Sequence, residues 1–235
     1  MIMPVQYIAN KHKSFNNCVI VCDGNSLTVG QGSTGGNNYP SQMGVKYPLS
    51  SFAGSITNKG VGGQTTLDME ADATSDIDSL LSGSYENILL AWEIRNHLVV
   101  DAPTNSDAYD AFADYCSERQ AAGWKVIVAT ILPSWAASYR GDNTSTGYAQ
   151  LESDRNAVNV MLRNGWGDFA DGLADLAAVS SIGTFGNHEN TGYVFNTASR
   201  PTTSTNGLYD DGTHMTNAGY TVVADVFLKS IWKLF

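Results

Sequence analysis

Val19-Ile-Val-Cys-Asp-Gly-Asn-Ser26-Leu-Thr-Val-Gly30 is an apolar, β-type run that breaks at Asp23-Gly24 and delivers one serine. A short buried strand ending in Gly and Asn, followed by a serine and a helix-compatible segment, places that hydroxyl at the carboxyl edge of a sheet. Open α/β folds hold their ligands there. Ser26 is therefore the candidate nucleophile. Asp, Gly, Asn and Ser also make ordinary turns, so this serine gains meaning only from partners elsewhere in the chain.

A serine hydroxyl is a weak nucleophile at neutral pH; it needs an imidazole to take its proton and a carboxylate to hold that imidazole in the right tautomer. The chain has four histidines, His12, His97, His188 and His214. Only His214 has an acidic residue at short spacing and a helix-start signal behind it: Asp211-Gly-Thr-His214 runs into Thr216-Asn217 and an apolar terminal segment. Base and orienter can thus come from one turn, although an isolated Asp-x-x-His is more often turn chemistry beside a surface histidine.

Outward from these two segments, strand-like runs alternate with helical periodicity. The runs Cys18–Cys22, Ser55–Asn58, Asn87–Trp92, Lys125–Ile131 and Gly172–Leu176 read as strands. Thr66–Leu81, Ser106–Ala122, Tyr148–Arg163 and Thr216–Leu234 read as helices. This alternation predicts an α/β fold with a central parallel sheet of five strands and helices on both faces. Gln31–Asn38 and Ser180–Asn206 lack such patterns and are expected to wall a binding site. Trp92, Trp135, Tyr139 and Trp166 are candidates for pocket lining or core.

With 235 residues and 43% hydrophobic content, the chain suits one domain over residues 1–235. Thirteen basic against 23 acidic residues give a net charge of −10, which disfavours nucleic acid and anionic membrane surfaces as partners. Cys18, Cys22 and Cys116 form no Cys-x-x-Cys and sit in apolar contexts, so they read as buried free thiols. They point to a reducing, cytoplasmic setting, while secretion with a removed signal peptide stays open; Met1–Asn10 does not itself read as a signal. No window suits a membrane span. Asn143-Thr-Ser145 matches a glycosylation acceptor, which matters only on a secretory route. Gly60-Val-Gly-Gly63 fails the dinucleotide fingerprint because Thr65 holds its sixth position, and no His/Cys cluster suits zinc. Neither a cofactor nor a metal is expected.

Four separated blocks together resemble the SGNH hydrolases, the superfamily of esterases and lipases also called GDSL. Gly24-Asn25-Ser26-Leu27 stands for Gly-Asp-Ser-Leu, and Asp211-Gly-Thr-His214 for the terminal Asp-x-x-His. Asn58-Lys-Gly-Val-Gly-Gly63-Gln-Thr-Thr66 is similar to the second block, and Trp92-Glu-Ile94-Arg95-Asn96-His97 to the third, Gly-x-Asn-Asp. The resemblance implies a single-domain, three-layer α/β/α sandwich of flavodoxin-like type. It further implies a Ser26, His214, Asp211 triad, with an oxyanion hole from the backbone N–H groups of Ser26 and Gly63 and the Asn96 side chain. Gly62 rivals Gly63 by one position. The implied substrate is a small-molecule or saccharide ester, with short-chain acyl esters first and carbohydrate O-acetyl esters as the alternative. A non-catalytic carbohydrate-binding module on the same fold is a third possibility. Three positions depart from the pattern: Asn25 replaces the block-one aspartate, and Ile94 and His97 replace the block-three glycine and aspartate. Ile94 adds bulk where backbone normally packs closely, which leaves the pose of the Asn96 amide open.

Overall fold

The computed structural model describes residues 17–46, 54–102, 104–136, 138–142, 145–185 and 206–235. His12, His188, Phe195, Arg200 and most of the Asn143-Thr-Ser145 acceptor lie outside the described residues. Five strands form the sheet: β1 (Cys18–Gly24), β2 (Ser55–Asn58), β3 (Glu86–Trp92), β4 (Lys125–Ala129) and β5 (Gly172–Ala174). Their order is β2-β1-β3-β4-β5 and every pairing is parallel. The near-continuous apolar runs of β1, β3 and β4 are what a sheet covered on both faces demands.

Alternation along each strand sorts the core into two layers. Ile20, Cys22, Ile88, Leu90, Trp92, Ile127 and Ala129 face Tyr39 and Met43 of the helix Tyr39–Lys46, and Val223, Phe227 and Ile231 of the helix Asn217–Trp232. Val21, Leu89, Ala91, Val126 and Val128 face the other way. They meet Met69 and Ala73 of the helix Thr66–Asp76, Phe112 and Tyr115 of Asn105–Ala122, and Leu151, Val158 and Leu162 of Ser145–Gly165. The expected three-layer α/β/α arrangement is present.

Several elements differ from their predicted bounds. β4 stops at Ala129 rather than Ile131 because Asn159 takes over the backbone of Ile131: its Oδ1 accepts the Ile131 N–H at 2.7 Å and its Nδ2 donates to the Ile131 carbonyl at 2.8 Å. β5 ends at Ala174, after which the chain turns at Asp175 into a 3-10 turn, Leu176–Ala178. The predicted helix Thr66–Leu81 is a helix to Asp76 and a separate 3-10 turn, Asp78–Leu80. It begins in a capping box between Thr65 and Asp68. The helix Ser26–Val29 stands where the segment after the strand reads as helix-compatible, whereas Tyr39–Lys46, Arg95–Val100 and Ser180–Gly183 carry too few periodic apolar residues to be read from sequence. All three cysteines are buried, and Cys22 and Cys116 are free thiols.

In this strand order β1 lies between β2 and β3, so the connections after β1 and β3 leave in opposite directions and open a crevice at the carboxyl ends of the two strands. β1 and β3 stay paired to their ends, Asp23 beside Ala91 and Gly24 beside Trp92. Gly24 permits that approach: its φ is +149°, and a Cβ there would stand 2.2 Å from the Trp92 carbonyl oxygen. Two chain segments therefore emerge side by side, one beginning at Ser26 and the other at Glu93.

Candidate active site

Asn25 starts the helix Ser26–Val29, with its side-chain Oδ1 accepting the Leu27 N–H at 2.9 Å. Gly30 ends it in a left-handed conformation, φ +94°, and its N–H returns to the Ser26 carbonyl. This single turn fixes Ser26 at the rim of the crevice. The Ser26 Oγ lies 2.8 Å from His214 Nε2.

His214 reaches that position from the far end of the chain. Asp211 organises the local turn by accepting the N–H of Thr213 at 3.1 Å and of His214 at 2.8 Å, both at Oδ1. The ring Nδ1 of His214 is 2.9 Å from Asp211 Oδ2 and 3.1 Å from Oδ1. The same carboxylate thus shapes the backbone and orients the ring. Burial pushes the Asp211 carboxyl group up, but hydrogen bonds from the His214 ring and from the backbone of His214 and Thr213 outweigh it and hold the group well below the usual carboxylate range. Thr216 caps the following helix by accepting the Gly219 N–H, as the Thr216-Asn217 signal predicts. The Tyr220 hydroxyl of that helix donates to the Gln31 carbonyl at 2.7 Å, tying this end of the chain to the segment behind Ser26.

A cleft of about 370 Å³ opens over the pair, and Ser26, Gly63, Arg95, Asn96, Trp135 and His214 are among its lining residues. Gly63 has φ +83°, a conformation that favours glycine, and nothing lies within 4 Å of where its Cβ would be. Gly62, its rival, is not among the lining residues. The Asn96 side chain is fixed at both ends: Nδ2 donates to the Gln64 carbonyl at 3.0 Å, and Oδ1 accepts from Arg95 Nη1 at 2.8 Å. The five site residues expected from sequence, Ser26, Gly63, Asn96, Asp211 and His214, are therefore brought to one crevice.

Two contributors, Glu93 and Arg95, were not legible. Glu93 is buried beneath Asn96, and a charged residue directly after the apolar run Ile88-Leu-Leu-Ala-Trp92 was its only signal. Arg95 donates from Nε to Ser134 Oγ at 3.1 Å and from Nη2 to the Trp135 carbonyl at 2.7 Å, besides its bond to Asn96. Trp135, a sequence candidate for pocket lining, belongs to the segment after β4 and is among the residues that line the cleft. Its carbonyl also accepts from Thr213 Oγ1 at 2.9 Å, and its N–H donates to the Gly212 carbonyl at 2.8 Å. Of the two walls expected from sequence, Gln31–Asn38 supplies Gln31 to the lining. The other, Ser180–Asn206, supplies none among its described residues. Trp92 and Tyr139 are core residues, and Trp166 packs at the edge of the second apolar layer.

Ile94 departs most sharply from ordinary backbone. It is fully buried, packed in the second apolar layer, and has φ +73° and ψ −39°, a region costly for a β-branched residue. The resemblance puts a glycine here, and the backbone has kept the glycine-like conformation while the side chain fills apolar space. Two effects oppose each other: glycine normally costs about 0.5–1 kcal/mol more than alanine in ordered backbone, whereas relief of the positive φ is worth about 1–3 kcal/mol. Ile94→Gly is thus expected to be more stable than Ile94→Ala by about 1 kcal/mol in chemical denaturation. The ordinary order, alanine above glycine, would refute a strained residue 94. His97, at the position of the missing aspartate, is buried 3.8 Å from Asp101 and is not among the lining residues of the cleft.

Comparison with known proteins leaves sequence similarity silent: no family model matches, and no curated protein matches. Similarity in structure is extensive. A member of the lipolytic protein G-D-S-L family from Veillonella parvula aligns with a TM-score of 0.62 at 14% identity, covering 90% of this chain and 97% of that one. An acetyl xylan esterase aligns at 0.59 with 15% identity, covering 90% and 98%. The family 3 carbohydrate esterase of Clostridium thermocellum aligns at 0.58 with 14% identity, covering 92% and 97%. The strand order and these alignments together establish that the chain has the fold of the SGNH hydrolases.

Proposed function

We propose that the protein is a serine esterase that hydrolyses carboxylic esters, short-chain acyl esters first, through an acyl-enzyme. The observation that carries this reading is the chain of contacts from Ser26 Oγ to His214 Nε2, 2.8 Å, and from His214 Nδ1 to Asp211, 2.9 Å, at the mouth of the cleft. In the proposed reaction Ser26 Oγ attacks the ester carbonyl while its proton passes to His214 Nε2. Asp211 holds the Nδ1–H and stabilises the imidazolium. The carbonyl oxygen becomes an oxyanion, received by the backbone N–H groups of Ser26 and Gly63 and by the Asn96 amide. Collapse breaks the C–O bond, and the alcohol leaves with the proton from His214. Water then attacks the acyl-serine with His214 as base, releasing the acid and restoring the hydroxyl.

A cleft of about 370 Å³ lies at the small end for ligand sites, which supports a short acyl group over a long chain. Two structural neighbours are an acetyl xylan esterase and a carbohydrate esterase, which supports acetylated saccharides as the second reading of the substrate. A fluorophosphonate probe is expected to add its phosphonyl group to the peptide that contains Ser26, read by mass spectrometry. Hydrolysis of p-nitrophenyl esters is expected to fall from acetyl through butyryl to decanoyl. Acetate release from acetylated xylan exceeding that from p-nitrophenyl acetate would move the preference to saccharides. A folded protein that takes up no probe would be a binding module on this fold, and the esterase reading would be wrong.

A further inference from the structure

Glu93 takes no part in the steps above and lies outside the residues the block resemblance singled out, yet it stands between them. Glu93 is 1% exposed. Oε1 accepts the backbone N–H of Asn96 at 2.6 Å and of His97 at 3.3 Å, together with Asn25 Nδ2 at 3.4 Å. Oε2 accepts the Thr66 hydroxyl at 2.8 Å and the backbone N–H of Ile94. A buried carboxyl group carries a desolvation cost of several kcal/mol unless donors converge on it, and here five do. Burial pushes Glu93 up, and the donors pull it only partly back.

Those donors belong to separate parts of the centre. Asn25 precedes Ser26 and caps its helix through the other end of its amide. Thr66 opens the helix behind the Gly63 turn. Ile94 and Asn96 carry the strained turn and the proposed oxyanion amide. One carboxyl group therefore sets the nucleophile turn and the oxyanion turn relative to each other. The identity of residue 25 follows. Block one of the resembled pattern has an aspartate here, but a carboxylate at 25 would stand against Glu93 in a buried site, where two such groups do not both ionise. Asn25 offers a donor instead.

We propose that Glu93 is the positioning residue of this centre, holding the Asn96 turn against the Ser26 turn, and that its carboxyl group at 93 is carried in exchange for one at residue 25. The proposal rests on the esterase reading for its kinetic consequence, and on the 25/93 contact alone for its consequence in stability. Glu93→Gln keeps the shape but sets an N–H₂ against a backbone N–H. It is expected to lower kcat on p-nitrophenyl acetate about 10²-fold with KM within about 3-fold, because the geometry of the transition-state donors changes rather than the binding wall.

Asn25→Asp retains a good helix cap and is expected to lower the melting temperature by placing two carboxyl groups together. The double variant Asn25→Asp/Glu93→Gln is expected to melt above Asn25→Asp and to recover about 10-fold of the kcat lost in Glu93→Gln. A Glu93→Gln enzyme within about 2-fold of wild-type kcat overturns the positioning role. A double variant that melts no higher than Asn25→Asp overturns the exchange. If Glu93→Gln does not fold alone, folding and turnover of the double variant support the proposal, and failure of both to fold overturns it. Wild-type protein that neither labels nor hydrolyses defeats the esterase reading by itself, and the melting comparison still decides the exchange.

Discussion

Ser26→Ala is expected to reduce kcat on p-nitrophenyl acetate by about 10⁶-fold, leaving only what oxyanion donors and binding supply. The size follows from chemistry: Ser26 Oγ is the hydroxyl 2.8 Å from His214 Nε2, and water delivered to the same carbonyl is neither held nor deprotonated in the same geometry. The substitution should leave the fold nearly untouched. Ser26 caps nothing with its side chain; the cap is Asn25, whose Oδ1 accepts the Leu27 N–H, and alanine is a good helix former at position 26. Melting close to that of wild type, together with loss of the fluorophosphonate adduct, separates a lost nucleophile from a lost fold. A Ser26→Ala protein that turned over ester at the wild-type rate would end the assignment.

Asp211→Asn is the second large effect, expected at about 10⁴-fold in kcat. Asparagine can retain Oδ1 as the acceptor for the backbone N–H groups of Thr213 and His214, so the turn survives. Its N–H₂ then faces His214 Nδ1, which must accept, and the ring carries its proton on Nε2, where it cannot take one from Ser26. A loss smaller than about 10-fold would show that the ring is oriented by something else. Stability gives an independent reading. The folded state holds the Asp211 carboxyl below the ordinary carboxylate range, so its contribution is present above the unfolded value, about pH 4, and is lost as pH falls through the lower folded value. The stability advantage of wild type over Asp211→Asn, measured by denaturation, should therefore shrink as the solution is acidified below about pH 4.

What the sequence made legible follows the range of the interactions involved. The apolar runs at β1, β3 and β4 are buried on both faces and report themselves by composition, so the parallel sheet could be read directly. Ser26, Asp211 and His214 are placed by turns whose side chains cap their own backbone, and local turn chemistry is visible in local spelling. Ile131 and Trp135 are different. Their backbones are held by Asn159 and by Gly212 and Thr213, 28 and 77 or more positions away, so neither the end of β4 nor the course of the main chain beyond it has a local mark. Glu93 sits between these cases: its position next to an apolar run was conspicuous, but its donors at Asn25 and Thr66 become neighbours only when β1 and β3 pair.

The main chain of Trp135 joins the Arg95–Asn96 side of the cleft to the Gly212–Thr213 side, and Trp135 is itself among the residues that line the cleft. That division of labour gives evolution, or an engineer, a replaceable tile on a fixed frame. Exchanging the ring for another side chain can recut the shape of the entrance while the struts beneath it stay whole. Adding or deleting a residue in the same segment would pull both halves of the machine out of alignment, so new substrate tastes should be sought at this position by substitution and not by changes of loop length.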